Sequence, residues 1–125
     1  LEMTLNGNAL LLPNSYITAT KQLKAQTVTS YTLVLSDVNA RITMSNASTN
    51  TVIIPTNAAV AFPVGTEIRI LQIGAGATSI DADVGVTLNG VSCGVGSMSA
   101  PGQYTDIIKV DTNAWWAVGD IGTIT

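Results

Sequence analysis

Few side chains in this chain could perform acid–base or nucleophilic chemistry. Its 125 residues include no His and one Cys. Serine and cysteine nucleophiles usually depend on a His base, so neither a Ser–His–Asp nor a Cys–His mechanism is expected. Cys93 has no cation beside it in the sequence to stabilise a thiolate, and we interpret it as a structural thiol. The same composition excludes an intramolecular disulfide and a zinc site of the Cys/His kind.

Carboxylates are the remaining catalytic candidates, because a polysaccharide depolymerase needs two of them on opposite sides of the scissile bond. Asp81 and Asp83 would share one face of a strand, and Asp106 and Asp111 flank the last predicted hairpin. Asp near Gly is more typical of turns, which is the interpretation we favour. Asp81 and Asp83, even with Asn89, supply too few oxygens to specify a Ca²⁺ site. We therefore expect no catalytic residue, no metal, no cofactor and no enzymatic activity.

Aromatic residues near the C-terminus are better candidates for a binding role. Trp115 and Trp116 are adjacent, and Tyr104 lies just before the preceding predicted strand. Neighbouring strand residues point to opposite faces, so one Trp should enter the core and the other should reach the surface or a partner subunit. An exposed aromatic ring can pack against another subunit or stack on a sugar. We favour subunit packing and keep glycan stacking as the alternative.

The scarcity of charge limits the classes of partner. Charged residues make up 10% of the chain, against about 25% in ordinary soluble domains, and the formal net charge is -3. A basic surface that binds nucleic acid is therefore not expected. No apolar run approaches the roughly 18 residues that a membrane helix needs, so membrane insertion is not expected either. The hydrophobic fraction of 46% argues against a disordered chain.

The elements that must position these residues are predicted to be strands. Thr, Val and Ile are abundant, whereas strong helix formers such as Glu, Lys and Gln are scarce. Residues 66–70 alternate between polar and apolar, which predicts a strand with one buried face. The apolar phase then shifts at Leu71, which predicts either a bulge or the full burial of Gln72 and Ile73. Residues 16–30 are polar and predict either an extended arm or an edge strand.

Turn signals divide the rest of the chain into further short strands. The Asn89–Gly90 pair predicts a tight hairpin turn, and residues 106–110 and 114–118 predict a terminal hairpin in which Lys109 faces solvent. Short strands about 8 to 12 residues apart predict an all-β fold. We expect a single antiparallel β-sandwich or barrel-like domain over residues 30–125, preceded by a short extended N-terminal arm or strand leader over residues 1–29. Further strands are predicted at residues 5–12, 31–35, 40–44, 51–54, 78–80 and 86–88.

Six blocks of sequence between residues 30 and 121 form a pattern with a defined order and spacing. The blocks are Ser30–Asp37, Ile53–Thr66, Ile70–Gly76, Gly85–Asn89, Ile108–Trp116 and Gly119–Ile121. Together they span about three quarters of the chain. The pattern resembles a module of tailed-bacteriophage virion proteins, which ends tail fibres and tailspikes and also forms small head-decoration proteins.

The resemblance implies a non-enzymatic structural protein of the virion, a homotrimeric β-rich module on the particle surface that is made in the cytoplasm of the bacterial host. Its partners would be other copies of itself and other virion proteins, such as a tail protein or the major capsid protein. The alternative is a carbohydrate-binding module that uses an exposed Trp to bind a glycan on the host surface. No catalytic residue belongs to the pattern. Trp115, Trp116 and Tyr104 are the residues expected at a subunit interface or a glycan site.

Overall fold

The computed structural model describes residues 21–125, which form two β-sheets around one core. The strand predicted at residues 5–12 and the first part of the predicted arm lie outside the described residues. A short 3-10 turn, Leu35–Asp37, interrupts the strands. The strands are β1 (Leu23–Gln26), β2 (Ser30–Thr32), β3 (Arg41–Met44), β4 (Asn50–Ile54), β5 (Glu67–Gln72), β6 (Thr78–Ala82), β7 (Thr87–Leu88), β8 (Val91–Ser92), β9 (Val95–Ser97), β10 (Tyr104–Asp111) and β11 (Ala114–Gly119).

The first six strands alternate between the two sheets. β1, β3 and β5 lie side by side in the larger sheet, β2, β4 and β6 lie side by side in the smaller sheet, and all these neighbours are parallel. In the larger sheet the register aligns Leu23 with Arg41, and Arg41 with Arg69. The chain therefore winds as a short coil in which each turn adds one strand to each sheet.

The later strands complete both sheets. β10 lies antiparallel between β5 and β11, and β7, which forms a hairpin with β8, pairs parallel with β11. The turn between β7 and β8 has positive φ at Asn89 and Gly90, 51° and 79°, as a type I′ hairpin turn requires. In the smaller sheet, β9 pairs with β6, and residues 122–125 pair in turn with β9. The predicted terminal hairpin and the predicted Asn89–Gly90 turn are confirmed.

The all-β fold is confirmed, but the strand pairing is mixed rather than antiparallel. Five of the nine strand pairs formed by the described residues are parallel. The coil accounts for most of the parallel pairs. Within it, each strand pairs with the next but one along the chain, and the intervening strand lies in the opposite sheet. Alternation and turn residues look the same for either direction. Residues 23–26 of the predicted arm form β1 at the edge of the larger sheet, which agrees with the edge-strand interpretation.

The core lies between the two sheets and includes one buried amide. β5 alternates to its end, so that Leu71 points outward and Gln72 is buried. The predicted burial of Gln72 is confirmed, but Ile73 is 49% exposed and the strand has neither a bulge nor a phase shift, because a polar residue occupies the inward position. The Gln72 side chain accepts a hydrogen bond from Thr78 N at 3.1 Å and donates one to Gly74 O at 3.1 Å. Apolar core residues include Ile42, Met44, Ile68, Ile70, Leu88 and Ile107 from the larger sheet, and Val52, Ile54 and Ile80 from the smaller.

The segments that connect consecutive strands form the corners of the coil, and two of these corners contact each other at glycines. The corner after β5 lies against the corner after β3, where Gly76 N donates a hydrogen bond to Asn46 O at 2.9 Å. A Cβ atom on Gly76 would overlap the backbone carbonyl of Ser48, and one on Gly74 would overlap the backbone of Asn46. The close approach of the two backbones is what leaves room for glycine alone at both positions.

Candidate functional site

The adjacent Trp residues on β11 point to opposite faces of the larger sheet, as predicted. Trp115 is buried, and its ring meets Phe62 edge-on with 5.7 Å between the ring centroids. Trp116 is 47% exposed on the outer face of the sheet, opposite Ile108 of β10. Trp115 is therefore a core residue, and Trp116 is the member of the pair that is accessible to a partner.

The outer face of β10 and β11 carries a continuous apolar surface that we call the apolar band, made of Ile108, Trp116 and Val118. Val118 is 52% exposed, and Ile108 is partly exposed. The register places Ile108 opposite Trp116, and Val118 opposite Asp106. Across the outward positions of residues 104–110 and 114–118, Asp106 is the one charged side chain.

Tyr104 lies on the same outer face, but at the other end of β10. It precedes Ile108 by four residues, which corresponds to about 13 Å along a strand. The Arg69 guanidinium lies over the Tyr104 ring, with Cζ 4.0 Å from the ring centroid, and covers one side of it. Tyr104 and Trp116 therefore share a face of the sheet without forming one aromatic platform.

Arg69 and Asp106 form a bidentate ion pair across β5 and β10. Arg69 Nε donates to Asp106 Oδ1 at 2.8 Å, and Nη2 donates to Oδ2 at 3.0 Å. The two residues are direct neighbours in the register. These hydrogen bonds raise the pKa of Arg69. The pair places a fixed guanidinium plane between Tyr104 and the beginning of β5.

A pocket of about 30 Å³ opens on the outer face where β3 and β5 begin, and we call it the cationic pocket. Its lining combines three cations with two carboxylates. These side chains come together only through the strand register, so the pocket could not be predicted from local sequence patterns. The sequence shows only that cations are scarce, and this scarcity does not indicate where in the fold the cations lie. The lining residues are Lys21, Ala40, Arg41, Glu67, Arg69 and Asp106.

Lys109 points into the core, so the prediction that it faces solvent is wrong. The side chain is 2% exposed, and Nζ donates to Asn57 Oδ1 at 2.6 Å and to Phe62 O at 2.7 Å. Within residues 21–125 no carboxylate forms an ion pair with it. Burial of the amine lowers the pKa of Lys109. The sequence does not determine the orientation of Lys109, because Ile107 and Ile108 are adjacent and either one could face the core.

Asp37 is a buried carboxylate that the sequence analysis did not single out. Its Oδ1 lies 2.7 Å from Lys24 Nζ, and its Oδ2 accepts hydrogen bonds from Tyr31 Oη at 2.7 Å and Val34 N at 2.9 Å. Burial, with the hydrogen bond to Asp37, raises the pKa of Tyr31. The carboxylate thus ties β1 and β2 to the 3-10 turn, which is a structural role.

The four carboxylates considered for catalysis are not brought together. Asp81 lies on the outer face of the smaller sheet and Asp106 on the outer face of the larger sheet, with the core between them. Asp83 and Asp111 each accept a hydrogen bond at 2.8 Å from the next backbone N–H, which is a turn role. Cys93 is exposed. In the described part of the chain, no group of three or more His, Cys, Asp and Glu side chains is placed to hold a metal ion.

Across residues 21–125 the chain has no helix that is both long and apolar enough to span a bilayer.

Comparison with known proteins yields no family assignment. The sequence matches no protein-family model and no curated protein.

Proposed function

We propose that this chain is a non-enzymatic structural protein of a bacteriophage particle. It acts as a homotrimeric β-sandwich module on the virion surface, at the tip of a tail fibre or tailspike or as a capsid decoration. The order and spacing of the six sequence blocks support this assignment. The structural observation that carries it is the apolar band, a group of large apolar side chains that are partly exposed on the outer face of the larger sheet.

The properties of the band are those of an interface core. Trp116 and Val118 are 47% and 52% exposed, and they adjoin Ile108 on the neighbouring strand. Continuous apolar surfaces of this kind usually mark a binding site, and Trp is enriched among the residues that dominate interface energetics. Charge is depleted at interface cores, and Asp106, the one charged side chain at the outward positions of residues 104–110 and 114–118, is already paired with Arg69. A second copy of the chain is the partner that the virion module implies.

Oligomeric state tests the trimer. Sedimentation equilibrium and mass photometry at micromolar concentration should show a trimer for the natural sequence. Replacing Trp116 and Val118 together by Ser should dissociate it, whereas Val84→Ser should not. Val84 is the matched control because it is 78% exposed in the turn between β6 and β7, away from the band. A monomeric natural protein, or a trimer that survives the Trp116/Val118 double substitution, would refute the proposed interface.

Binding assays test the location on the particle. Labelled protein is mixed in parallel with host cells and with undecorated capsids of the corresponding phage. Binding to cells supports a fibre or spike tip, and saturable binding to capsids supports a decoration protein. Failure to bind either one counts against a position on the virion surface.

A carbohydrate-binding module is the second candidate function. It is favoured by the half-exposed ring of Trp116 on the outer face of the larger sheet, because such a ring can stack on the apolar side of a sugar. Trp116→Ala should abolish binding on a glycan array without changing the urea midpoint. A positive array signal that survives this substitution, or no signal from the natural protein, would contradict a Trp116 glycan site.

A further inference from the structure

The cationic pocket contains an unusually large share of the cations of this chain. The whole sequence has five Lys and Arg residues against eight Asp and Glu. Lys24 is paired with Asp37, and Lys109 is buried against two neutral oxygens. The other three cations, Lys21, Arg41 and Arg69, all line the pocket. A protein with a net charge of -3 thus places three of its five cations at one site, although one of them, Arg69, is paired with Asp106.

The arrangement of these cations leaves a position for an anion. Arg41 and Arg69 are direct neighbours in the parallel register of β3 and β5, and like charges at such positions repel one another. Asp106 compensates Arg69 through two hydrogen bonds. Arg41 is exposed and forms no ion pair within residues 21–125. Counting Glu67 as well, the pocket has three positive and two negative side chains, so its lining has a net positive charge.

The size and surroundings of the pocket match a carboxylate on a sugar. A volume of about 30 Å³ accommodates roughly two water molecules, and therefore the two oxygens of a carboxylate. A guanidinium binds a carboxylate through two parallel hydrogen bonds, and an exposed Arg41 can present this fork. Tyr104 lies beside the pocket, and although Arg69 covers one face of its ring, the side chain is 39% exposed and the other face is available to a sugar. A sugar acid offers both groups that this surface recognises, a carboxylate and an apolar ring face.

We propose that the cationic pocket binds the carboxylate of an acidic polysaccharide, with Arg41 as the main ligand, Lys21 as a second cation and Tyr104 against the neighbouring sugar ring. This inference rests on the receptor-binding form of the proposed function and specifies its ligand class. It does not require Trp116, because the pocket lies at β3 and β5 while the apolar band lies on β10 and β11. One protein can therefore form the trimer through the band and bind the acidic glycan through the pocket.

Binding to defined oligosaccharides tests the inference. The probes are oligomers of galacturonic acid, hyaluronan and polysialic acid, each compared with a carboxyl-reduced counterpart, by biolayer interferometry at low and physiological salt. At least one acidic oligomer should bind, and its carboxyl-reduced counterpart should bind at least about tenfold more weakly, because reduction removes the charge-assisted hydrogen bonds to the guanidinium. Arg41→Gln should produce a similar loss. Arg41 is exposed, so the variant should keep the urea midpoint of the natural protein.

A second variant separates a specific site from general charge attraction. Thr112→Lys, in the exposed turn between β10 and β11, restores the net charge of the Arg41→Gln protein without restoring the pocket. The double variant should bind as weakly as Arg41→Gln, and recovery of binding would overturn the proposal.

Three other outcomes would also overturn it. The first is equal binding of an acidic oligomer and its carboxyl-reduced counterpart, which would leave carbohydrate binding itself intact. The second is binding to none of the three acidic oligomers. The third is loss of the trimer in Arg41→Gln, which would assign the pocket to a subunit contact. The sedimentation measurement on the natural protein judges the trimer separately from all of these.

Discussion

The stacked corners of the coil make Gly76 one of the least replaceable positions in the fold. Gly76→Ala adds a single methyl group, but that group would overlap the backbone carbonyl of Ser48. The Ser48 carbonyl cannot move freely, because it accepts a hydrogen bond from Asn50 Nδ2 at 3.0 Å. Asn50 is in turn held by Thr78 Oγ1, which donates to Asn50 Oδ1 at 2.6 Å. The methyl group therefore disturbs the buried polar contacts that join β4 to β6.

The cost follows from these contacts. Forcing an extra methyl group into a closely packed site costs about 1–3 kcal/mol, and weakening the Asn50 hydrogen bond adds about 0.5–1.5 kcal/mol. Gly76→Ala should therefore lower the free energy of unfolding by roughly 2–4 kcal/mol. Gly102→Ala is the matched control, because a Cβ atom there meets nothing within 4 Å and its strain arises only from a φ of +89°. That conformation costs about 1–2 kcal/mol for a residue with a side chain.

Urea unfolding, followed by the fluorescence of the buried Trp115, measures both variants. With a slope near 2 kcal/mol per molar urea, the midpoint of Gly76→Ala should fall by about 1–2 M, and that of Gly102→Ala by less than about 1 M. All proteins are compared at one concentration, since oligomerisation shifts apparent stability. If Gly76→Ala is no less stable than Gly102→Ala, the two corners do not approach as closely as described and the reasoning fails.

The remaining predictions concern single side chains. Burial lowers the pKa of Lys109 from its usual value of 10.5. Between the lowered pKa and 10.5 the unfolded chain binds more protons than the folded protein, so the free energy of unfolding rises with pH. Urea midpoints measured between pH 7 and 9.5 should show this rise for the natural protein relative to Lys109→Met. Tyr31 behaves oppositely, because burial and the hydrogen bond to Asp37 raise its pKa above its usual value of 10.0. Stability should therefore decline above that pH, and a pH titration of unfolding should show Tyr31→Phe removing this part of the decline. Trp115→Ala should cost about 3–5 kcal/mol in urea unfolding. Trp116→Ala should cost less than about 1 kcal/mol per folded protomer, and equal losses for the two Trp variants would contradict their opposite orientations.

Much of the fold follows from local patterns in the sequence. The alternation around Ile68, the Asn89–Gly90 turn and the opposite orientations of Trp115 and Trp116 each depend on a few neighbouring residues, and the structure has all three. The antiparallel arrangement was predicted from the same patterns, but a parallel strand can have identical alternation. The decisive information is the register between Arg41 and Arg69, which lie on strands separated by a strand of the other sheet.

The candidate sites depended on information that local patterns lack. Residue type suggested that Lys109 faces solvent, yet its side chain is buried because the core supplies a hydrogen-bond partner for the amine. The cationic pocket joins Lys21, Arg41 and Arg69 through pairings that are distant in sequence. The scarcity of charge was visible in the composition, but the convergence of the remaining cations required the strand register.

The coil also sets the order in which a growing chain can complete its fold. β5 pairs on one side with β3 and on the other with β10, which begins more than thirty residues later at Tyr104. Contacts between such distant segments form slowly, because a long loop must close before the pairing is gained. During synthesis, β5, whose Ile68 and Ile70 face the core, must therefore wait with one edge unpaired until β10 has been made. Translation that pauses between these two strands should increase aggregation of the nascent chain, whereas a pause after β11 should not.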